Sequence, residues 1–263
     1  MSAVSSVPLG DGSRPVSEDS KVGSSPQELT PQPTVILPGF FAGAKEYRRL
    51  QQELESEGYP ARIVPLTVSS WFPTVGGRPV TPILSALGET VRQTIREFGC
   101  NTVNLIGHSA GGWIARIYLG DQPYGDRVWA GAQHVSTLIA LGTPHFSQER
   151  WTRWNIDFVN DTYPGAFHDS IRYVCVAGKS TFGEKAPWWK PQQWNGAKWL
   201  AYSSYELTGG AGSCWGDGIT PISSAHLEGA INLIVDDAYH SPRGDRFWYG
   251  SPAARRHWIQ YLQ

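Results

Sequence analysis

From Thr34 onward, short apolar runs alternate with longer stretches in which apolar residues recur every three or four positions. That alternation marks βαβ units and predicts an α/β fold, a central and mostly parallel sheet flanked by helices. Val35-Ile36-Leu37, closed by Pro38-Gly39, reads as a buried first strand. Tyr47, Leu50 and Leu54 mark one face of a helix ending near Gly58, and Arg62-Ile63-Val64 forms a second strand. Pro65 to Pro79 reads as a loop that holds Trp71 and Phe72. Val80, Ile83, Leu84, Leu87, Val91, Ile95 and Phe98 then predict an amphipathic helix stopped by Gly99. Thr102 to Ile106 is the next strand; it runs into Gly107-His108-Ser109-Ala110-Gly111, after which Trp113 to Leu119 is helical. Val135 to Leu141, Ile171 to Ala177 and Ile231 to Val235 supply three more strands, and Ser251 to Leu262 predicts a closing helix.

Two stretches break this rhythm. Residues 1–33 are rich in Ser, Pro and Gly and lack apolar periodicity, so they cannot offset the entropy of ordering and read as a disordered lead. Asp11, Glu18, Asp19 and Glu28 argue against an organelle transit peptide, and no apolar core for secretion is present. The remaining residues, 34–263, read as one domain, since 263 residues suit a single large α/β unit. Within it, residues 181–214 carry Trp188, Trp189, Trp194, Trp199, Tyr202 and Tyr205 among glycines and prolines, an excursion from the sheet. Such residues make an amphipathic surface suited to acyl chains or to the headgroup region of a bilayer, or they pack together as a minor core. Trp151 and Trp154 are candidates for an opposite wall.

Charge and cysteine usage remove other function classes. With 22 Lys+Arg against 23 Asp+Glu, the formal charge of -1 offers nothing to a polyanion, and no nucleic-acid partner is expected. Cys100, Cys175 and Cys214 are too few for a disulfide framework, which fits an intracellular, reducing compartment. No apolar run is long enough to cross a bilayer, so the chain reads as soluble, with peripheral contact to a lipid surface through the Trp-rich stretch as the alternative. His, Cys, Asp and Glu do not cluster at ligand spacings and no phosphate-binding Gly-x-x-x-x-Gly-Lys occurs, so neither metal nor cofactor is expected.

The chemistry centres on Ser109. A Gly-x-Ser-x-Gly pentapeptide arises by chance roughly 0.3 times in a chain of this composition, so context must carry it. A nucleophile elbow needs a strand before the serine, a helix after it and small residues around the strained turn, and all three are present. The alternative is a glycine turn with Ser109 as helix cap. A serine hydroxyl needs a base, and the order nucleophile, acid, histidine selects His240 in the loop after the last strand. His226 is the rival base. His134 and His145 precede any acid, and the His108 side chain is expected to diverge from Ser109 at the turn. Asp217, between Gly216 and Gly218, is the candidate acid, with Asp236 and Asp237 as rivals. The backbone N–H groups of Ala110 and Phe40 are the candidate oxyanion donors. Phe41, His108, Trp113 and Trp215, beside these positions in the chain, are expected to contact substrate.

Ile36-Leu37-Pro38-Gly39-Phe40, Gly107 to Gly112, Leu141-Gly142-Thr143-Pro144-His145 and Gly216-Asp217-Gly218-Ile219-Thr220-Pro221 together resemble the α/β-hydrolase lipases and esterases. More narrowly, Gly76 to Pro82 and Trp113 to Tyr118 look like a lipase-like group of cyanobacteria and plant plastids. The resemblance implies acyl-ester hydrolysis by a Ser109-His240-Asp217 triad and a cap over the sheet at residues 181–214. It also points to a glycerolipid substrate in a chloroplast or cyanobacterial cytoplasm. Acyl transfer to an alcohol, small-ester or thioester hydrolysis, and a non-catalytic binding module are the alternatives. In one place the chain departs from the family: Pro38-Gly39 replaces the usual His-Gly, removing a side chain that often braces the first turn.

Overall fold

Four consecutive residues of the first strand, β1 (Thr34–Leu37), are fully buried. A strand flanked on both edges and covered on both faces needs such a run, because a parallel sheet has no wet face. In the computed structural model, which describes residues 1, 31–185, 189, 195–244 and 246–263, β1 lies between β2 (Ala61–Ile63) and β3 (Val103–His108). Beyond β3 come β4 (Val135–Leu141), β5 (Arg172–Lys179) and the edge strand Ile231–Asp236. All six are parallel. A separate two-stranded ladder pairs β6 (Thr181–Phe182) with β7 (Trp215–Gly216), which makes the edge strand β8.

Alternation of side chains along the strands divides the core into two layers. Val35, Leu37 and Leu105 face one side, where they meet Leu87 and Val91 of α2 (Thr81–Phe98) and Trp113 and Ile117 of α3 (Ala110–Leu119). Ile36, Ile106, Val174 and Val176 face the other, against Leu50 and Leu54 of α1 (Arg48–Ser56) and the C-terminal Trp258. Chain order reverses at β1: the chain steps from β1 outward to β2 and returns to add β3 on the opposite side. Ligands of open parallel sheets bind at such a switch point, beyond the carboxyl ends of the strands. Leu37 pairs with Gly107, so the turn after β1 and the turn after β3 emerge side by side there.

Several local expectations change. The segment expected as a loop from Pro65 to Pro79 contains 3-10 turns over Val68–Thr74, held by the buried Trp71, whose indole N–H donates to Ala42 O at 2.8 Å. A helix that the periodicity did not mark, α4 (Arg150–Thr162), follows β4; its Trp154 is 52% exposed, so it forms no wall. The side chain of Trp151 falls outside the described residues, as do Trp188 and Trp194. The aromatic excursion contains α5 (Gly196–Gly209), which buries Tyr205 and leaves Trp199 and Leu200 partly exposed. After the short α6 (Ile222–Ala225), the expected closing helix is reduced to α7 (Pro252–Arg255) and a 3-10 turn at Ile259–Tyr261. Trp258 breaks it: its φ of -126° turns the buried indole inward, where N–H donates to Tyr249 O at 3.0 Å.

Of the expected lead, residues 2–30 lie outside the described residues. Gln32 pairs with the other end of the chain, its N–H donating to Gln263 O at 2.6 Å, and Asn104 Nδ2 donates to the carbonyls of both.

Candidate active site

Ser109 stands at the tip of the turn between β3 and α3 with φ 53° and ψ -124°. A non-glycine residue in that region costs about 1 to 3 kcal/mol and persists only where its surroundings over-determine it. Here Ser109 N–H donates to Leu141 O at 2.9 Å and its carbonyl accepts from Gly112 N–H at 3.1 Å. The turn also requires Gly107 to lie against α3: a Cβ on Gly107 would sit 2.6 Å from Gly112 Cα. The cost of the turn is met by the strand and helix that it joins.

Three side chains distant in sequence converge on it. His240 Nε2 lies 3.0 Å from Ser109 Oγ, and His240 Nδ1 lies 2.7 Å from Asp217 Oδ2. Asp217 is buried yet fully engaged. Its Oδ1 accepts from Ile219 N–H and Thr220 N–H at 2.9 and 2.7 Å, and its Oδ2 accepts from Tyr249 O–H at 2.6 Å as well as from His240. Burial pushes the carboxyl toward neutrality, but the His240 charge and these donors outweigh it and hold Asp217 below the usual carboxylate range. Tyr249 moves far the other way: burial and the facing carboxylate keep it a protonated donor. Asp236, a rival acid, pairs instead with Lys179 at 3.6 Å.

The β1 turn comes against Ser109 from the other side. A Cβ on Gly39 would lie 2.9 Å from Ser109 Cβ, so only glycine lets this backbone approach. Next to it, Phe40 N–H has no protein acceptor among the described residues, and Ala110 N–H belongs to the first turn of α3, where helix amides lack partners. Phe41 adopts a strained φ of 53°, and Arg243 ties the turn to the His240 loop by donating to Phe41 O at 2.7 Å while pairing with Glu46 at 3.2 Å.

Two cavities adjoin, sharing Phe40, Trp113, Glu149 and Thr152 in their walls. One of about 440 Å³ contains Ser109 and His240, with Ser204 and Thr208 of α5 and Ile219 at its edge. The second, about 230 Å³, is apolar and is lined by Phe40, Phe41, Trp71, Val80 and Trp113. Phe41 and Trp113, expected to contact substrate, line this second cavity. Trp215 does not: it stands on β7, packed edge-on against Phe182 with Lys179 over its ring. His108 lines the larger cavity with Ser109 and His240. Its ring does not diverge from the site but lies 4.9 Å from the His240 ring, buried, with both nitrogens engaged by the protein. Sequence reasoning also passed over Tyr249, Tyr205, whose hydroxyl accepts from Gly218 N–H at 2.7 Å, and Arg243.

Two other histidines are set apart. His226 ends α6, and His145 is buried between Arg116 and Cys175. Burial, then the neighbouring charges, holds both His108 and His145 neutral, His108 down to about pH 3. Unfolded histidine titrates near 6.5, so as pH falls through that range the unfolded chain takes up protons that the folded chain refuses. Stability is therefore full above about pH 6.5 and declines below it, by on the order of 4 to 5 kcal/mol at pH 3 for His108 alone. Asp217 adds a loss of the same sign at the acid end. Urea midpoints measured from pH 8 to 4 are expected to fall steadily, and a flat profile would contradict the two neutral histidines.

A strained serine turn after the strand beside the switch point, with an acid after β7 and a histidine after β8, defines the α/β-hydrolase fold. A family model described as the PGAP1-like alpha/beta domain matches residues 81–166, the part from α2 to α4 that contains Ser109. No curated protein sequence matches the chain. Among solved structures, an esterase from Exiguobacterium antarcticum is 24% identical over 45% of this chain and 41% of its own, with a TM-score of 0.28. An α/β-hydrolase enzyme from a sediment metagenome of the Mar Chica lagoon, Morocco, is 14% identical over 88% and 91%, with a TM-score of 0.46. Aspergillus fumigatus lipase B is 13% identical over 57% and 38%, with a TM-score of 0.40. Among the described residues no group of three His, Cys, Asp or Glu is placed to hold a metal ion, and no helix is long and apolar enough to cross a membrane.

Proposed function

We propose that this protein is a serine hydrolase that cleaves carboxylic esters through an acyl-enzyme. The observation that carries the reading is the unbroken hydrogen-bond sequence Ser109 Oγ, His240, Asp217 beside a turn with a vacant amide donor. Ser109 Oγ attacks the ester carbonyl while His240 Nε2 accepts its proton, and Asp217 steadies the imidazolium without itself being protonated. Phe40 and Ala110 N–H stabilise the oxyanion, each by about 2 to 4 kcal/mol. His240 returns the proton to the leaving alcohol; water then adds to the acyl-Ser109 ester with His240 again as base, releasing the acid.

The apolar cavity favours an acyl chain of limited length. It measures about 230 Å³. The larger cavity, with Ser147, Ser204, Thr208 and Ser241 on its walls, suits the alcohol portion. Exposed Phe40, Phe72 and Val75 beside the acyl cavity, with Leu207 and Ile219 at the other, favour a lipid ester presented from a surface. The sequence resemblance to lipases of cyanobacteria and plastids adds glycerolipids as the class to try first. With p-nitrophenyl esters, kcat/KM is expected to rise from acetyl to a medium-chain ester and to drop at palmitoyl. Absence of ester turnover at every length would overturn the reading; a maximum at palmitoyl would remove the cavity as acyl site.

A further inference from the structure

His108 and Tyr47 carry a chain of buried polar contacts that the triad does not use. Gly39 N–H donates to Tyr47 Oη at 3.0 Å, Tyr47 Oη lies 2.7 Å from His108 Nδ1, and His108 Nε2 lies 2.8 Å from the carbonyl oxygen of His240. Each end of this chain permits one direction. A backbone N–H can only donate, so Tyr47 Oη accepts from Gly39 and keeps its own proton for His108. A carbonyl oxygen can only accept, so His108 Nε2 must carry the ring proton. Its Nδ1 is then the bare nitrogen that accepts the Tyr47 hydroxyl. Every proton in the sequence Gly39 N–H, Tyr47 O–H, His108 Nε2–H has its acceptor, and a doubly protonated His108 would leave the Tyr47 hydroxyl without one. The burial of both rings, which keeps His108 neutral and Tyr47 protonated, agrees with this direction.

The two ends lie in the two loops that flank Ser109. Gly39 precedes the Phe40 amide that faces the oxyanion, and the His240 carbonyl belongs to the base itself. We propose that Tyr47 and His108 are positioning residues, a one-way hydrogen-bond chain that holds the oxyanion turn and the base loop in register with Ser109. Here Tyr47 does the bracing that Pro38 cannot, its hydroxyl gripping the turn at Gly39 from α1's side of the sheet. Arg243 makes a second, exposed tie between the same two loops.

This inference rests on the hydrolase reading and sharpens it. Tyr47→Phe removes the one hydroxyl that serves both neighbours while keeping the ring. On a p-nitrophenyl ester it is expected to lower kcat about ten- to a hundredfold with KM changed by less than about threefold, because a displaced donor weakens the transition state and not substrate binding. His108→Gln can present an N–H to His240 O and an oxygen to Tyr47, so it is expected to stand at least about tenfold above His108→Leu in kcat. Nitrogen-15 spectra of ring-labelled wild type are expected to show His108 as the Nε2–H tautomer, unchanged between about pH 5 and 8, the range in which free histidine titrates. An Nδ1–H tautomer, a titrating His108, or equal kcat for Tyr47→Phe and wild type overturns the chain while ester turnover stands. A wild type that neither turns over esters nor labels with a fluorophosphonate overturns the hydrolase reading beneath it, a result distinct from the first three.

Discussion

Replacing Ser109 with alanine is expected to lower ester turnover by about 10⁴ to 10⁶ and to abolish labelling by a fluorophosphonate. The size follows from the chemistry: without Oγ no acyl-enzyme forms, and only transition-state stabilisation by the Phe40 and Ala110 amides remains for a direct attack by water. The change also isolates function from folding. Among the described residues Oγ makes one hydrogen bond, with His240 at 3.0 Å, while the strained backbone of residue 109 is held by Leu141 and Gly112 and not by the side chain. Ser109→Ala should therefore unfold at nearly the wild-type temperature. Labelling that survives the substitution would place the nucleophile elsewhere and sink the proposed mechanism.

Asp217→Asn is expected to cost about 10⁴ in kcat, by a route that the hydrogen bonds make explicit. Four donors face the carboxylate: the amides of Ile219 and Thr220 on Oδ1, and His240 Nδ1–H with Tyr249 O–H on Oδ2. An amide NH₂ cannot sit opposite the two backbone N–H groups, which have no freedom to turn. It must take the Oδ2 place and donate to His240 Nδ1. His240 then carries its proton on Nε2, which faces Ser109, and can no longer accept one. The loss is expected in kcat with KM little altered, and the ring-nitrogen spectrum should show the tautomer exchanged. Turnover within tenfold of wild type would show that the acid lies elsewhere.

Much of this site is legible along the chain because its parts obey local rules. The elbow at Ser109 demands a strand, a tight turn and a helix in succession, and each writes its own pattern within a dozen residues. Asp217 and His240 follow from chain order, since the segment between β5 and β8 and the loop after β8 both leave parallel strands at the same end of the sheet. Even the switch point is implied once β1, β2 and β3 are recognised in turn.

What the local pattern misreads are side chains whose role depends on what lies across the sheet. Tyr47 shows only an apolar helix face, and its hydroxyl acquires meaning when α1 packs beneath the β1 turn. Local order set the backbone of His108 beside Ser109 and suggested divergence; packing turned its ring under His240 instead. Trp215, two residues from the acid, seemed a substrate contact, but strand pairing with Phe182 turned it to another surface. Tyr249 carries no motif at all, and it reaches Asp217 because Trp258 and Tyr249 are folded inward together at the end of the chain. The sequence by itself determined the main strands, the turn at Ser109 and the order of Ser109, Asp217 and His240 along them, because these depend on neighbours along the chain. Only the tertiary structure decided which polar groups support them and how large a cavity adjoins them, because a hydrogen bond or a packed wall is settled by residues that meet in space.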